Sequence, residues 1–99
     1  MNPQEILEEV KRGGSVILDV RTDGEWNEGH IDGALHFDLA RLMQGEKLSL
    51  DPDTHIYTYC RSGGRATTAL LILEEQGFKN TTCIGGYLDW KEKGGPVIE

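Results

Sequence analysis

The stretch of this chain best equipped for chemistry is Cys60-Arg61-Ser62-Gly63-Gly64-Arg65. Cysteine attacks as the thiolate, and the surroundings of this one favour that form. Two glycines let the backbone curl so that successive N–H groups face the sulfur. Arg61 and Arg65 bring two positive charges into the same short loop. Before the loop, Ile56-Tyr57-Thr58-Tyr59 is strand-like. After it, Ala66, Ala69, Leu70 and Leu73 fall at i, i+3, i+4 and i+7, an apolar stripe of helical period. The sulfur is thereby predicted between the carboxyl end of a strand and the amino end of a helix, where orphan N–H groups add partial positive charge. In open α/β sheets that crevice is where ligands bind. The plainer role, a small hydrophobe packed at a strand end, needs neither the glycines nor the arginines.

The segments that must hold this loop can be read in order. Pro3 to Arg12 carries Ile6, Leu7 and Val10 on one helical face and stops at Gly13-Gly14. Val16-Ile17-Leu18-Asp19-Val20 is a short, nearly continuous apolar run, as expected of a strand covered on both faces. Asp19 interrupts it and must find a partner, with Arg21 or a loop arginine in reach; the reading is a scaffold ion pair rather than a catalyst. Thr22 and Glu25 have the spacing of a capping box opening a short helix to Glu28. A turn-rich segment, Gly29 to Ala34, leads to a strand around Leu35-His36-Phe37, a short helix from Leu39 to Met43, and a polar loop from Gln44 to Asp53 with an Asp-Pro turn. The helix after the cysteine loop runs to Glu75, with Gly77 as its cap. Thr81 to Ile84 is a further strand ending at Gly85-Gly86, and Tyr87 to Glu92 a last helix before Gly94-Gly95-Pro96. Strands alternate with helices, so the expected fold is α/β, a mostly parallel central sheet with helices on both faces, in one domain over residues 1–99.

Composition narrows the function. A net charge of −7 repels nucleic-acid phosphates and anionic membrane surfaces, so neither partner is expected. Against that background the two loop arginines make a local cationic site suited to a small anion. No run approaches the roughly 18 apolar residues of a membrane span. The segment Met1 to Glu5 is polar and acidic, without the basic and apolar pattern of a signal peptide; this points to the cytoplasm, or to the periplasm for a protein trimmed of a leader. Cys60 and Cys83 form no disulfide framework. His30, His36 and His55 have no zinc-site spacing with them, so no metal or cofactor is expected. Cys83 is read as buried rather than as a thiol that resolves an intermediate on Cys60. Trp26 and Trp90 are read as core or rim packing, and Asn80-Thr81-Thr82 as a chance sequon.

Three motifs in this order resemble a family. Leu18-Asp19-Val20-Arg21 with Glu25-Trp26 and Gly29-His30-Ile31-Asp32-Gly33-Ala34, then Cys60 to Arg65, then Gly85-Gly86-Tyr87-Leu88-Asp89-Trp90, are similar to the signatures of single-domain rhodaneses, a sulfurtransferase family. They run from residue 18 to 90. The resemblance implies that Cys60 takes sulfane sulfur from thiosulfate or a persulfide donor, becomes a persulfide, and passes the sulfur to a thiol or to cyanide, in two covalent half-reactions. It implies that N–H groups from Arg61, Ser62, Gly63, Gly64 and Arg65 cradle the anionic sulfur, and that Arg61 draws in the donor. Arg65 is implied either to contact the donor or, with slight preference, to brace the loop on a carboxylate such as Asp19. Arg21, Glu25 and His30 join Asp19 as scaffold. Related phosphatases place one more residue between cysteine and arginine; the four here suit sulfur rather than phosphate. Two further readings stand beside the enzyme: a binding or regulatory module, and a relay delivering persulfide sulfur to a protein acceptor.

Overall fold

The computed structural model describes residues 2–99; Met1 lies outside the described residues. The chain begins with α1 (Pro3–Arg12), where Asn2 and Glu5 cap each other's backbone N–H groups and Pro3 sits in the first turn, an arrangement that satisfies donors the helix leaves orphaned. There follow β1 (Ser15–Asp19), α2 (Asp23–Glu28), β2 (His30–Ile31), β3 (Leu35–His36), α3 (Leu39–Met43), β4 (His55–Cys60), α4 (Gly64–Glu75), β5 (Thr81–Gly86), α5 (Tyr87–Glu92) and β6 (Val97–Ile98). The capping box predicted at Thr22 and Glu25 forms and opens α2. Gly77, at φ 103°, ends α4 through its N–H to Glu74 O, while Phe78 N–H reaches back to Leu73 O.

The central sheet has the order β3-β1-β4-β5, and its three pairings are all parallel. Residue alternation along β1 and β4 divides the core in two. Leu18, Val20, Ile56 and Cys60 pack with Leu39 and Leu42 of α3 and Ala66, Ala69 and Leu73 of α4. Ile17, Tyr57 and Tyr59 point to the other face, against Ile6 of α1 and Tyr87 and Trp90 of α5. Both faces are therefore covered, which is why β1 reads as a nearly unbroken apolar run. Leu73, fully buried, anchors α4; truncating such a leucine to alanine costs about 2–5 kcal/mol.

Strand boundaries differ from the sequence reading, and β4 gains one residue at each end, His55 and Cys60. β1 begins and ends one residue earlier, and β5 continues two residues further, to Gly86. β2 and β6 were not foreseen: they are two residues each and pair antiparallel, His30 with Ile98 and Ile31 with Val97, as a separate ribbon. Strands that short carry no periodicity to read.

Candidate active site

From β1 the chain passes first to β3 on one side, and then to β4 and β5 on the other. The strand order thus reverses between β1 and β4, and the crevice beyond their carboxyl ends is the natural ligand position of such a sheet. Both strands end there in register, Asp19 beside Tyr59, with Val20 N–H bonded to Tyr59 O at 3.2 Å. Cys60 is the next residue.

The Cys60 side chain lies on the α4 side of the sheet, and the residue is 1% exposed. Thr58 Oγ1 donates to Ala66 O at 3.0 Å, tying the strand to the first turn of the helix. Between them the loop turns through Gly63 at φ 104°, a conformation glycine adopts without a Cβ penalty. That turn aims Gly63 N–H at Cys60 Sγ, 2.9 Å away. Gly64 starts α4 and accepts from Thr68 Oγ1 at 3.3 Å. Ser62 is exposed. The far side of the loop rests on β5, where Gly86 pairs with Cys60. A Cβ on Gly86 would fall 2.3 Å from Arg61 O and 3.2 Å from Ser62 Cα, so glycine is the residue that lets strand and loop touch.

The two loop arginines part company. Arg65 forms a two-point ion pair with Glu25, Nη1 to Oε1 at 2.7 Å and Nη2 to Oε2 at 2.9 Å. The carboxylate that pairs with Arg65 is thus Glu25 and not Asp19, the partner suggested by sequence. The reason is that Asp19 is already saturated. Arg21 donates to its carboxylate from Nε, Nη2 and backbone N–H at 2.7–3.0 Å, and Tyr59 O–H donates at 2.5 Å. Asp19 and Arg21 are 0% and 4% exposed, a desolvated pair that stands because its remaining hydrogen bonds are made. Arg21 Nη2 also donates to Gly29 O at 2.6 Å, and its guanidinium lies over the Tyr87 ring at 4.6 Å. The Tyr59 hydroxyl accepts from Ile31 N–H at 3.1 Å, and burial together with Asp19 pushes its ionisation up.

Glu25 does two jobs, holding Arg65 and accepting from Thr22 N–H and Oγ1 at the start of α2. The Arg65 hydrogen bonds hold its carboxyl well below the usual range, at about 2. His30, grouped with the scaffold by sequence, donates from Nδ1 to Trp26 O at 3.0 Å and stacks on the Trp26 ring at 3.5 Å. His36 also stacks with that ring, at 4.9 Å, and donates from Nε2 to Arg21 O at 2.8 Å. Trp26 thus stacks with two histidines, while Trp90 is a core residue, 5% exposed.

Arg61 is exposed and makes no ion pair among the described residues. It lines a cleft of about 280 Å³ beside the loop, together with Glu28 of α2 and Tyr87, Leu88 and Lys91 of α5. Sequence reasoning did not reach these four residues. The carboxyl-terminal motif locates Tyr87 and Leu88 in the chain, but not the face they turn to. Cys83 sits opposite Thr58 in β5; its sulfur is 3.7 Å from both Gly63 O and Thr67 Oγ1, and both cysteines are free thiols. Among the described residues no cluster of His, Cys, Asp and Glu is placed to hold a metal ion, and no helix is long and apolar enough to cross a membrane.

A four-stranded parallel sheet, a cysteine at its switch point and a loop of four residues between cysteine and arginine define a rhodanese-type α/β domain. The Rhodanese-like domain model matches residues 2–93, and the chain belongs to that sulfurtransferase family. It is similar to the thiosulfate sulfurtransferase GlpE of Coxiella burnetii, 36% identical over 88 residues that cover 88% of this chain and 81% of that protein. A putative sulfur carrier protein of Bacillus subtilis, YrkF, is 35% identical over 78 residues, 78% of this chain and 42% of that one. Among solved structures, a rhodanese-related protein of Thermoplasma volcanium superposes with a TM-score of 0.80 at 29% identity, covering 99% of this chain and 95% of that one.

Proposed function

We propose that this protein, acting as one domain over its 99 residues, is a sulfurtransferase whose covalent intermediate is a persulfide on Cys60. The observation that carries the reading is the 2.9 Å contact from Gly63 N–H to Cys60 Sγ at the switch-point crevice, with the uncommitted Arg61 beside it. In the first half-reaction the Cys60 thiolate attacks the outer sulfur of thiosulfate. A Sγ–S bond forms, the bond to the sulfonate sulfur breaks, and sulfite leaves with its electron pair. In the second, an acceptor thiol or cyanide attacks the outer sulfur of the Cys60 persulfide, and Cys60 leaves again as thiolate. No external oxidant is needed in either step.

The loop residues divide the work of this scheme. Gly63 N–H and the free amides at the start of α4 hold the anionic sulfur, acting as preorganised donors in place of water. Arg61 attracts the donor dianion. Arg65 does not contact substrate; through Glu25 it fixes the loop against α2. Asp19, Arg21 and Tyr59 set the end of β4, and His30 with Trp26 sets the segment that receives Arg21. No cofactor enters the scheme, and Cys60 and Cys83 stay reduced in a compartment such as the cytoplasm. Persulfides as donors fit the same loop. A protein acceptor is the second reading, favoured by the likeness to the sulfur carrier protein and by Leu88, which is 55% exposed at the cleft edge.

The test is intact-mass analysis of the purified protein, alone, after thiosulfate, and after cyanide with thiocyanate assayed. One added sulfur on Cys60, removed by cyanide as thiocyanate, is the expected result. A folded protein with a free Cys60 that gains no sulfur from thiosulfate or from any persulfide donor would be a binding module instead.

A further inference from the structure

The cleft beside the Cys60 loop carries charges that the proposed scheme does not use. Most of its ionic groups are already matched. Arg21 is held by Asp19, Glu25 by Arg65, and Lys91 by Glu99 at 2.8 Å. Two are left with no ion pair among the described residues: the cation of Arg61 on the loop and the anion of Glu28. Glu28 is the last residue of α2, the end of a helix where a negative charge is disfavoured, so the fold gains nothing from it there. A third group is also unmatched. Tyr87 lines the same cleft and is 9% exposed, yet its buried hydroxyl has no hydrogen-bond partner among the described residues. Buried polar groups are nearly always paired, and one that is not calls for an explanation.

A ligand that answers all three groups carries both signs of charge within a small volume. We infer that this cleft is the acceptor subsite of the reaction proposed above, and that it selects thiols of the amino-acid type. The acceptor's carboxylate binds Arg61 and the Tyr87 hydroxyl, its ammonium binds Glu28, and its methylenes lie on Leu88. A volume of about 280 Å³ is at the small end for a ligand site, the size of cysteine or a short cysteine peptide rather than a large cofactor. The assignment rests on the sulfurtransferase reading for its chemistry. In a two-step covalent mechanism donor and acceptor occupy the enzyme in turn, so Arg61 can serve the thiosulfate dianion first and the acceptor carboxylate afterwards. Glu28 then separates the two half-reactions: it repels the donor and attracts the ammonium of the acceptor.

The experiment separates binding from chemistry. S-methyl-L-cysteine has both charges and no reactive thiol, and 3-(methylthio)propanoate lacks the ammonium. Their binding to the wild type, Glu28→Gln and Tyr87→Phe is followed by NMR shift titration. We expect S-methyl-L-cysteine to bind the wild type and to bind Glu28→Gln about three- to tenfold more weakly, as for loss of one partly exposed charge contact. The propanoate should move the other way, binding Glu28→Gln more tightly. Tyr87→Phe should weaken both ligands while leaving the fold at least as stable. In parallel, persulfide-loaded protein should be discharged faster by L-cysteine than by 3-mercaptopropanoate, with that preference lost in Glu28→Gln. Binding of S-methyl-L-cysteine that is absent, or equal in the wild type and Glu28→Gln, overturns the subsite. Binding as expected on a protein that never forms a persulfide keeps the subsite and removes the sulfurtransferase reading.

Discussion

Glu25 and Arg65 lie 40 residues apart in the chain and meet through two parallel hydrogen bonds of 2.7 and 2.9 Å. One end of this contact caps α2; the other belongs to the loop that carries Cys60. The geometry is the two-point fork that gives an arginine–carboxylate pair its directional strength.

That pair should leave a signature in acid. The folded carboxyl of Glu25 is held at about 2, below its ordinary value of 4.5, chiefly by the Arg65 hydrogen bonds. A depressed folded value means that the stabilisation is fully present above about pH 4.5 and is lost as pH falls through about 2. Because Arg65 is partly exposed, the contribution is about 1–2 kcal/mol after allowance for solvent screening. Urea unfolding of the wild type and Glu25→Gln between pH 2 and pH 6 checks it. The difference between the two proteins should shrink toward the acid end; a constant offset would contradict the assignment.

Cys60→Ser should keep the fold and lose sulfur transfer altogether, with no added sulfur by intact mass. Cys83→Ser should keep most of the activity, because Cys83 touches Gly63 O and Thr67 Oγ1 rather than the crevice. An equal loss in both variants would mean that Cys83 takes part in turnover.

Gly86→Ala tests the seat of the loop. The new methyl would meet Arg61 O at 2.3 Å, and backbone has little room to give, so loop or strand must shift. The expected cost is about 1–3 kcal/mol in stability with a loss of sulfur transfer of tenfold or more, as for a reacting group misplaced by a fraction of an ångström. Thermal melts and single-turnover loading with thiosulfate measure the two effects separately.

Tyr59→Phe removes the hydroxyl that joins Asp19 to Ile31 N–H. Two buried groups lose a partner, which costs about 1–3 kcal/mol. The measurement is the urea midpoint at neutral pH, with the m-value unchanged.

Arg61→Ala should weaken use of thiosulfate most at low ionic strength, where an exposed charge is least screened. Initial rates across a salt series should converge for wild type and variant as salt rises. Parallel lines would point to a structural role for Arg61.

The elements that could be read from sequence are those with an intrinsic local signal. α1 and α3 begin and end at the residues expected, because proline, asparagine and aspartate at the starts and glycine near the ends state their own limits; α5 also matches, bounded by Gly86 before it and Gly94 after it. The turn of the cysteine loop was legible for a similar reason: a glycine pair allows the positive φ that Gly63 takes, at 104°. What escaped were relationships between distant segments. Asp19 had two arginines in plausible reach, and only the register of β1 against β4, which brings Tyr59 beside it, shows that its oxygens are already filled. Glu25 was seen as scaffold and as a cap, but its second role depends on where α2 lies against α4. The cleft on Glu28, Tyr87 and Leu88 belongs to the same class, since composition does not reveal which side of a six-residue helix meets another.

The Cys60 seat is closed by strands and helices that are far apart in the chain: β1 on one flank, β5 on the other, α2 through Glu25. This has a consequence for synthesis. A nascent chain that has exposed residues up to α4 already displays its thiol, yet lacks the Gly86 wall, and parallel pairings of this kind form slowly because long loops must close first. Until β5 has emerged, the loop lacks the strand that Gly86 lays against Cys60, Arg61 and Ser62. Shortening the chain ahead of β5 should remove one wall of the Cys60 loop while leaving every residue of that loop in place.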